Sequence, residues 1–131
     1  MKRLFVITLL TWTCLTASAQ MKNQLANTAW QGAVNMGQVV DVVLRYEADT
    51  VKMYSVSDHE ILETMTYSIK GDSLTWKKVD GGSPCDTQTP GIYQFIIKND
   101  EMAINLIKDD CPARSGALLP KPFKKVAYTS K

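Results

Sequence analysis

The sequence predicts an all-β protein, a single domain in which eight short antiparallel strands run up and down and close into a barrel stapled by one disulfide. Three observations carry that expectation. After residue 27 the apolar residues alternate with polar ones in β-branched and aromatic runs, and helical periodicity is almost absent. The runs are joined mainly by short turns compatible with antiparallel neighbours. A meander of hairpins can close on itself, whereas a sandwich usually needs longer crossovers. Two cysteines, Cys85 and Cys111, lie in the body of the chain at a spacing that one bridge would close.

The first element is a leader. MKRLFVITLLTWTCLTASAQ places Lys2 and Arg3 before an apolar run, Leu4–Leu10 extended to Leu15, and ends on Ala17-Ser18-Ala19 before Gln20. A basic start, an apolar core and small residues two apart form an export signal, with cleavage expected between Ala19 and Gln20. Residues 1–19 would then be removed, and residues 20–131 would form the domain in the periplasm or outside the cell. No later stretch reaches the roughly 20 apolar residues that a membrane-spanning helix requires. Cys14 raises a lipoprotein reading, which the bulky Trp12 in the preceding Thr11-Trp12-Thr13 opposes. Lys2 and Arg3 account for the formal net charge of +2. The processed chain is therefore balanced, with no basic field for nucleic acid or anionic lipid.

The domain follows in order. Met21–Asn27 is expected to make a short helical turn that plugs one end. Strands are expected over Thr28–Val34, Val39–Tyr46, Val51–Val56, Ile61–Ile69, Leu74–Val79, Ile92–Lys98, Glu101–Lys108 and Phe123–Thr129. Gly71-Asp72 and Asn99-Asp100 have the composition of two-residue hairpin turns. The longest loop, Asp80–Gly91, holds Cys85. Pro120 and Pro122 confine the start of the last strand to an edge or an unpaired position.

Cys85 and Cys111 read as a disulfide, the usual fate of an even pair in an exported chain. A zinc site needs three or four protein ligands, and the chain has one histidine, His59. A reactive thiol needs a lowered pKa and a base nearby, which that distant histidine does not supply. Pro112 favours an extended Cys111 and a stop to any helix there. Asp109, Asp110 and Arg114 read as a local surface cluster, in which an exposed ion pair is worth little.

Leu25-Ala26-Asn27-Thr28-Ala29-Trp30-Gln31-Gly32 leads into the first strand. With the eight-strand meander and a late arginine, Arg114, it resembles the lipocalin-like proteins, or calycins, over most of residues 25–129. Thr28 stands where those proteins usually have a glycine two places before the tryptophan. The resemblance implies that Trp30 packs at the closed end of the barrel beside Arg114, and that the interior holds a ligand cavity. Alternation places Met65, Tyr67 and Ile69 on one strand face, and likewise Leu74, Trp76 and Lys78; Tyr93, Phe95 and Ile97; and Met102, Ile104 and Leu106. Eight strands give an interior that side chains just fill, or that holds one small ligand. Tyr67, Trp76, Tyr93 and Phe95 are the candidate ligand-contacting residues, and a packed aromatic core is the competing reading.

Two functions fit. One is a carrier or sensor of a small hydrophobic or amphipathic molecule; the other is a module that binds an extracytoplasmic protein. Small bacterial metallopeptidase inhibitors are similar barrels whose N-terminal segment, here Gln20–Asn23, enters the protease cleft, although their disulfide lies earlier in the chain. Biotin-binding barrels line their pocket with more tryptophans than Trp30 and Trp76. An enzyme is not expected. His59 sits in the polar loop Ser57–Glu60, and the aspartates at turns, Asp72, Asp80, Asp86 and Asp100, suit backbone capping. Neither a metal nor an organic cofactor is expected.

Overall fold

The computed structural model describes residues 23–129. The expected leader with Cys14, and residues 20–22 of the expected N-terminal segment, lie outside the described residues. The eight strands are β1 (Thr28–Asn35), β2 (Val39–Tyr46), β3 (Thr50–Ser55), β4 (Ile61–Lys70), β5 (Ser73–Gly81), β6 (Gly91–Lys98), β7 (Glu101–Lys108) and β8 (Phe123–Val126). Each is hydrogen-bonded to the next and β8 returns to β1, giving a closed antiparallel barrel. Among the described residues no helix is long and apolar enough to cross a membrane.

The tight turns follow from their residues. Lys98 pairs with Glu101 across Asn99 and Asp100, both with positive φ (52° and 59°). That is the type I′ geometry, whose twist matches the strands it joins. Lys70 pairs with Ser73 across Gly71-Asp72, and only Gly71 takes a positive φ, 63°, as a type II′ turn requires. These turns and the Glu47–Asp49 turn lie at the end where β1 begins, the lower end. The Met36–Gln38 turn, the Val56–Glu60 and Gly82–Pro90 loops and residues 109–122 lie at the upper end.

The lower end is closed. Asn23 Oδ1 accepts from the backbone N–H groups of Leu25 (3.0 Å) and Ala26 (3.1 Å), folding residues 23–27 into a turn rather than a regular helix. The turn drives Leu25, fully buried, under the barrel, where it joins Trp30, Tyr46, Val51 and Tyr67 in the core. Fully burying one leucine side chain is worth about 1.5–3 kcal/mol.

Two expectations are corrected near the C-terminus. Cys111 is extended (φ −93°, ψ 106°) as expected, yet a one-turn helix, α1 (Pro112–Ser115), begins at Pro112. Proline suits a first helical position, where its fixed φ is already helical and no N–H is needed. The last strand stops at Val126, because β8 pairs with β1 only over Gln31–Ala29, close to where β1 begins. Tyr128 lies beyond the ladder, its ring 4.8 Å from the Arg45 guanidinium. Strand β8 also pairs with only the first two residues of β7, Glu101 and Met102. The prolines that precede it carry the chain over the upper end, with one bridge between Leu118 and Val34.

Candidate functional site

All four aromatic residues singled out in the sequence point into the barrel and are buried: Tyr67, Trp76, Tyr93 and Phe95. They are spread through the core. Tyr67 lies at the lower end, its ring edge-on to Tyr46 at 4.9 Å, its hydroxyl donating to the Glu47 carbonyl and accepting from Asn23 Nδ2 at 3.0 Å. Trp76 and Tyr93 are in ring contact at 4.8 Å, and Phe95 belongs to the same cluster. Of the four, Trp76 alone lines the cavity beneath the upper rim.

That cavity lies beneath the upper rim and measures about 70 Å³. Val34, Leu44, Met53, Met65, Trp76 and Phe123 form its apolar walls, and Ala113, Ala117 and Leu118 form its roof beside Glu63 and Arg114. Ala113 and Ala117 in the roof and Ser83 at the side contribute short side chains to its lining. Met36, Ser83 and Ala113 border both the cavity and an outer groove that continues over Gly37, Pro84 and Pro112.

Two ion pairs stand at this end. The first joins Arg114 to Asp109, expected from the sequence as an exposed pair and found buried, with side chains 7% and 0% exposed. The reversal at Cys111-Pro112 turns both residues inward over Tyr93. The guanidinium grips the carboxylate through Nε–Oδ2 (2.5 Å) and Nη2–Oδ1 (2.8 Å), the planar two-point geometry that arginine makes best. Asp109 also accepts from the Cys111 N–H at 2.9 Å and from the Tyr93 hydroxyl. Burial alone would raise the Asp109 carboxyl, but the hydrogen bonds from Arg114, Tyr93 and Cys111 outweigh it and hold the group below its ordinary range. Burial, reinforced by the bond to Asp109, pushes the Tyr93 hydroxyl well above the ordinary tyrosine range. Gly91 makes room for this cluster, since a Cβ there would collide with the Asp109 carboxylate.

Arg114 Nη2 further donates to the Thr89 carbonyl at 3.0 Å. This ties the Gly82–Pro90 loop to the 109–116 segment, the same two pieces that the Cys85–Cys111 disulfide joins, with Cα atoms 5.6 Å apart. The remaining guanidinium nitrogen, Nη1, is buried and has no protein partner. The second pair is Glu63 with Lys78, 3.7 Å apart and with side chains 7% and 10% exposed. Glu63 also accepts from Ser83 Oγ at 2.6 Å and Ser83 N–H at 3.1 Å. Lys78 Nζ donates to the carbonyls of Gly81, at 3.0 Å, and Ser83. The extra residue of the β5 bulge, Val79, turns outward, so that Lys78 and Gly81 both face Glu63.

Trp30 and Arg114 are not brought together. Trp30 is buried near the lower end, its indole N–H donating to Thr28 Oγ1 at 2.8 Å. The cation beside its ring is Lys125, its register partner on β8, 5.9 Å from the centroid. Arg114 sits on α1 at the upper end because the segment between β7 and β8 crosses there. His59 is an exposed loop residue, as its polar neighbours predict.

Sequence reasoning missed Glu63 and placed Asp109 at the surface, where the structure buries it. The first was within reach: Glu63 lies two and four residues before Met65 and Tyr67, and strand alternation puts all three on the inner face. Asp109 carried no comparable periodic signal. Comparison of the chain with protein-family models, curated proteins and solved structures finds no match in any of the three.

Proposed function

We propose that this chain is an exported, non-enzymatic, lipocalin-like protein that binds a small apolar or amphipathic molecule at the upper rim of its barrel. The observation that supports the reading is an apolar cavity beneath the rim of a barrel whose other end is plugged, with an outer groove that shares Met36, Ser83 and Ala113 with it. Binding sites are typically concave, mostly apolar and furnished with a few placed polar groups, and this cavity has that make-up. Its size restricts the buried part of the ligand to a short group, with the remainder lying in the groove. The Ser83 hydroxyl is engaged as a donor to a carboxylate already held by Lys78, an arrangement suited to holding a loop rather than to activating a nucleophile.

The test is to fill the space. Ala117→Leu places a larger apolar side chain in the cavity roof. Saturable binding of small hydrophobic probes, read by tryptophan fluorescence and calorimetry, is expected in the wild-type protein and lost in the variant, with thermal stability kept. Equal binding by both proteins would remove the cavity as the site.

A second reading, a protein-binding module, draws on β7. From Ala103 to Lys108 this strand lacks a ladder partner on its β8 side, and Leu106 and Ile107 are 52% and 58% exposed. An extended peptide could add there as a strand. Lysine substitution at Leu106 and Ile107 abolishes partner binding on this reading and leaves small-molecule binding intact.

A further inference from the structure

The outer wall of the barrel carries a second concave surface, independent of the interior cavity. We propose that this groove, over β1, β2, β3 and the C-terminal segment, binds a monocarboxylate with an aromatic or branched apolar body, its carboxylate gripped by Arg45.

Three observations lead there. First, the groove holds one fixed positive charge more than its acid can match. Arg45 on β2 and Lys52 on β3 face each other in the strand register, and Glu47, which lines the same groove, pairs with Lys52 at 3.5 Å. Among the described residues no carboxylate pairs with Arg45. Like charges directly opposite in a sheet repel, and a bound monoanion offsets that repulsion. A dianion would leave a negative charge in excess beside Glu47. Second, Arg45 is held in place. Its guanidinium lies over the Tyr128 ring, 4.8 Å from the centroid, and its Nε is packed away from solvent. Nη1 and Nη2 make no hydrogen bond to the described residues and are not closed off. Side by side, they offer the two donors that a carboxylate accepts best. Third, the groove suits the rest of such a molecule. It measures about 620 Å³, within the range of small-molecule sites. Ala29, Val43, Val56 and Val126 give it apolar surface, and Tyr54, diagonal to Arg45 in the register, gives it an aromatic wall.

The test compares benzoate, benzamide and inorganic phosphate on the wild-type protein by NMR titration, followed at the Ala29 and Val43 methyl groups. Benzamide keeps the ring and size of benzoate without its charge. Benzoate is expected to bind saturably and at least about ten-fold more tightly than benzamide, the effect of hydrogen bonds between charged partners. Both methyl signals should move, while that of Met65 in the interior cavity stays in place. Arg45→Gln is expected to lose the preference for benzoate and to keep its thermal stability, since it also removes the repulsion from Lys52. Equal affinity for benzoate and benzamide, or a preference that survives in Arg45→Gln, would overturn the role of Arg45. Tightest binding by phosphate would overturn the monoanion argument. Benzoate that moves Met65 but neither outer methyl signal, or that does not bind, would overturn the groove as its site.

Discussion

Removing the disulfide by Cys85→Ser with Cys111→Ser probes how the upper rim is held. The bridge closes a sequence separation of 26 residues. In the chain-entropy account, releasing a loop of that length costs about 3.5 kcal/mol at room temperature. With an unfolding entropy of about 2.1 cal/mol/K per residue, that corresponds to a fall in Tm of about 15 °C for a domain of this size. Such a loss is a large share of the roughly 5–15 kcal/mol that a domain has in total. The fold survives it, because Arg114 still links the two segments through the Thr89 carbonyl and the core beneath is unchanged. The assay is thermal and urea denaturation of the double variant and of the wild-type protein with and without reductant, followed by circular dichroism. Identical midpoints in all three samples would refute the reasoning, since the loop would then be held as well by its other contacts alone.

Two further outcomes follow from buried contacts. Asp109→Ala leaves Arg114 without its counter-charge and is expected to cost about 3–5 kcal/mol in urea denaturation. Because the folded Asp109 carboxyl lies below its unfolded value, its contribution to stability is complete above about pH 4 and is lost as the pH falls through the folded value. Urea midpoints measured across that acid range should therefore fall more steeply in the wild-type protein than in Asp109→Asn. At Gly32 an added Cβ would lie 2.5 Å from the Phe123 ring. Gly32→Ala is thus expected to cost about 1–3 kcal/mol by overpacking, and a smaller side chain at residue 123 should recover part of the loss in a double-mutant cycle.

The barrel was legible because its information is local. Period-two alternation set the inner faces of β4 to β6 and of Met102 and Ile104 on β7, whereas Leu106, expected on that same face, is 52% exposed because β8 pairs only with the start of β7. Gly71-Asp72 and Asn99-Asp100 set two hairpins whose backbone angles match their residues. The disulfide followed from reading Cys85 and Cys111 as an even pair, and the unpaired entry to β8 from Pro120 and Pro122. The rim was not legible in the same way. Asp109 and Arg114 look like surface residues until the reversal at Cys111-Pro112 turns them onto Tyr93, sixteen positions before Asp109. No period in the sequence encodes that reversal. It arises where a cross-link, a helix of one turn and a buried ion pair act together. Trp30 shows the converse, since its burial was expected, while its neighbouring cation, Lys125, is set by the register between β8 and β1.

The central claim is that a small molecule enters the barrel at the upper rim, and the methionine methyl groups report on it directly. Met53 and Met65 line the cavity, whereas Met102 is fully buried elsewhere in the same core. In a methyl-labelled sample titrated with a small apolar probe, the Met53 and Met65 signals are expected to shift saturably together while that of Met102 stays in place. Saturable binding with all three methyl signals unmoved would put the ligand outside the barrel and contradict the account.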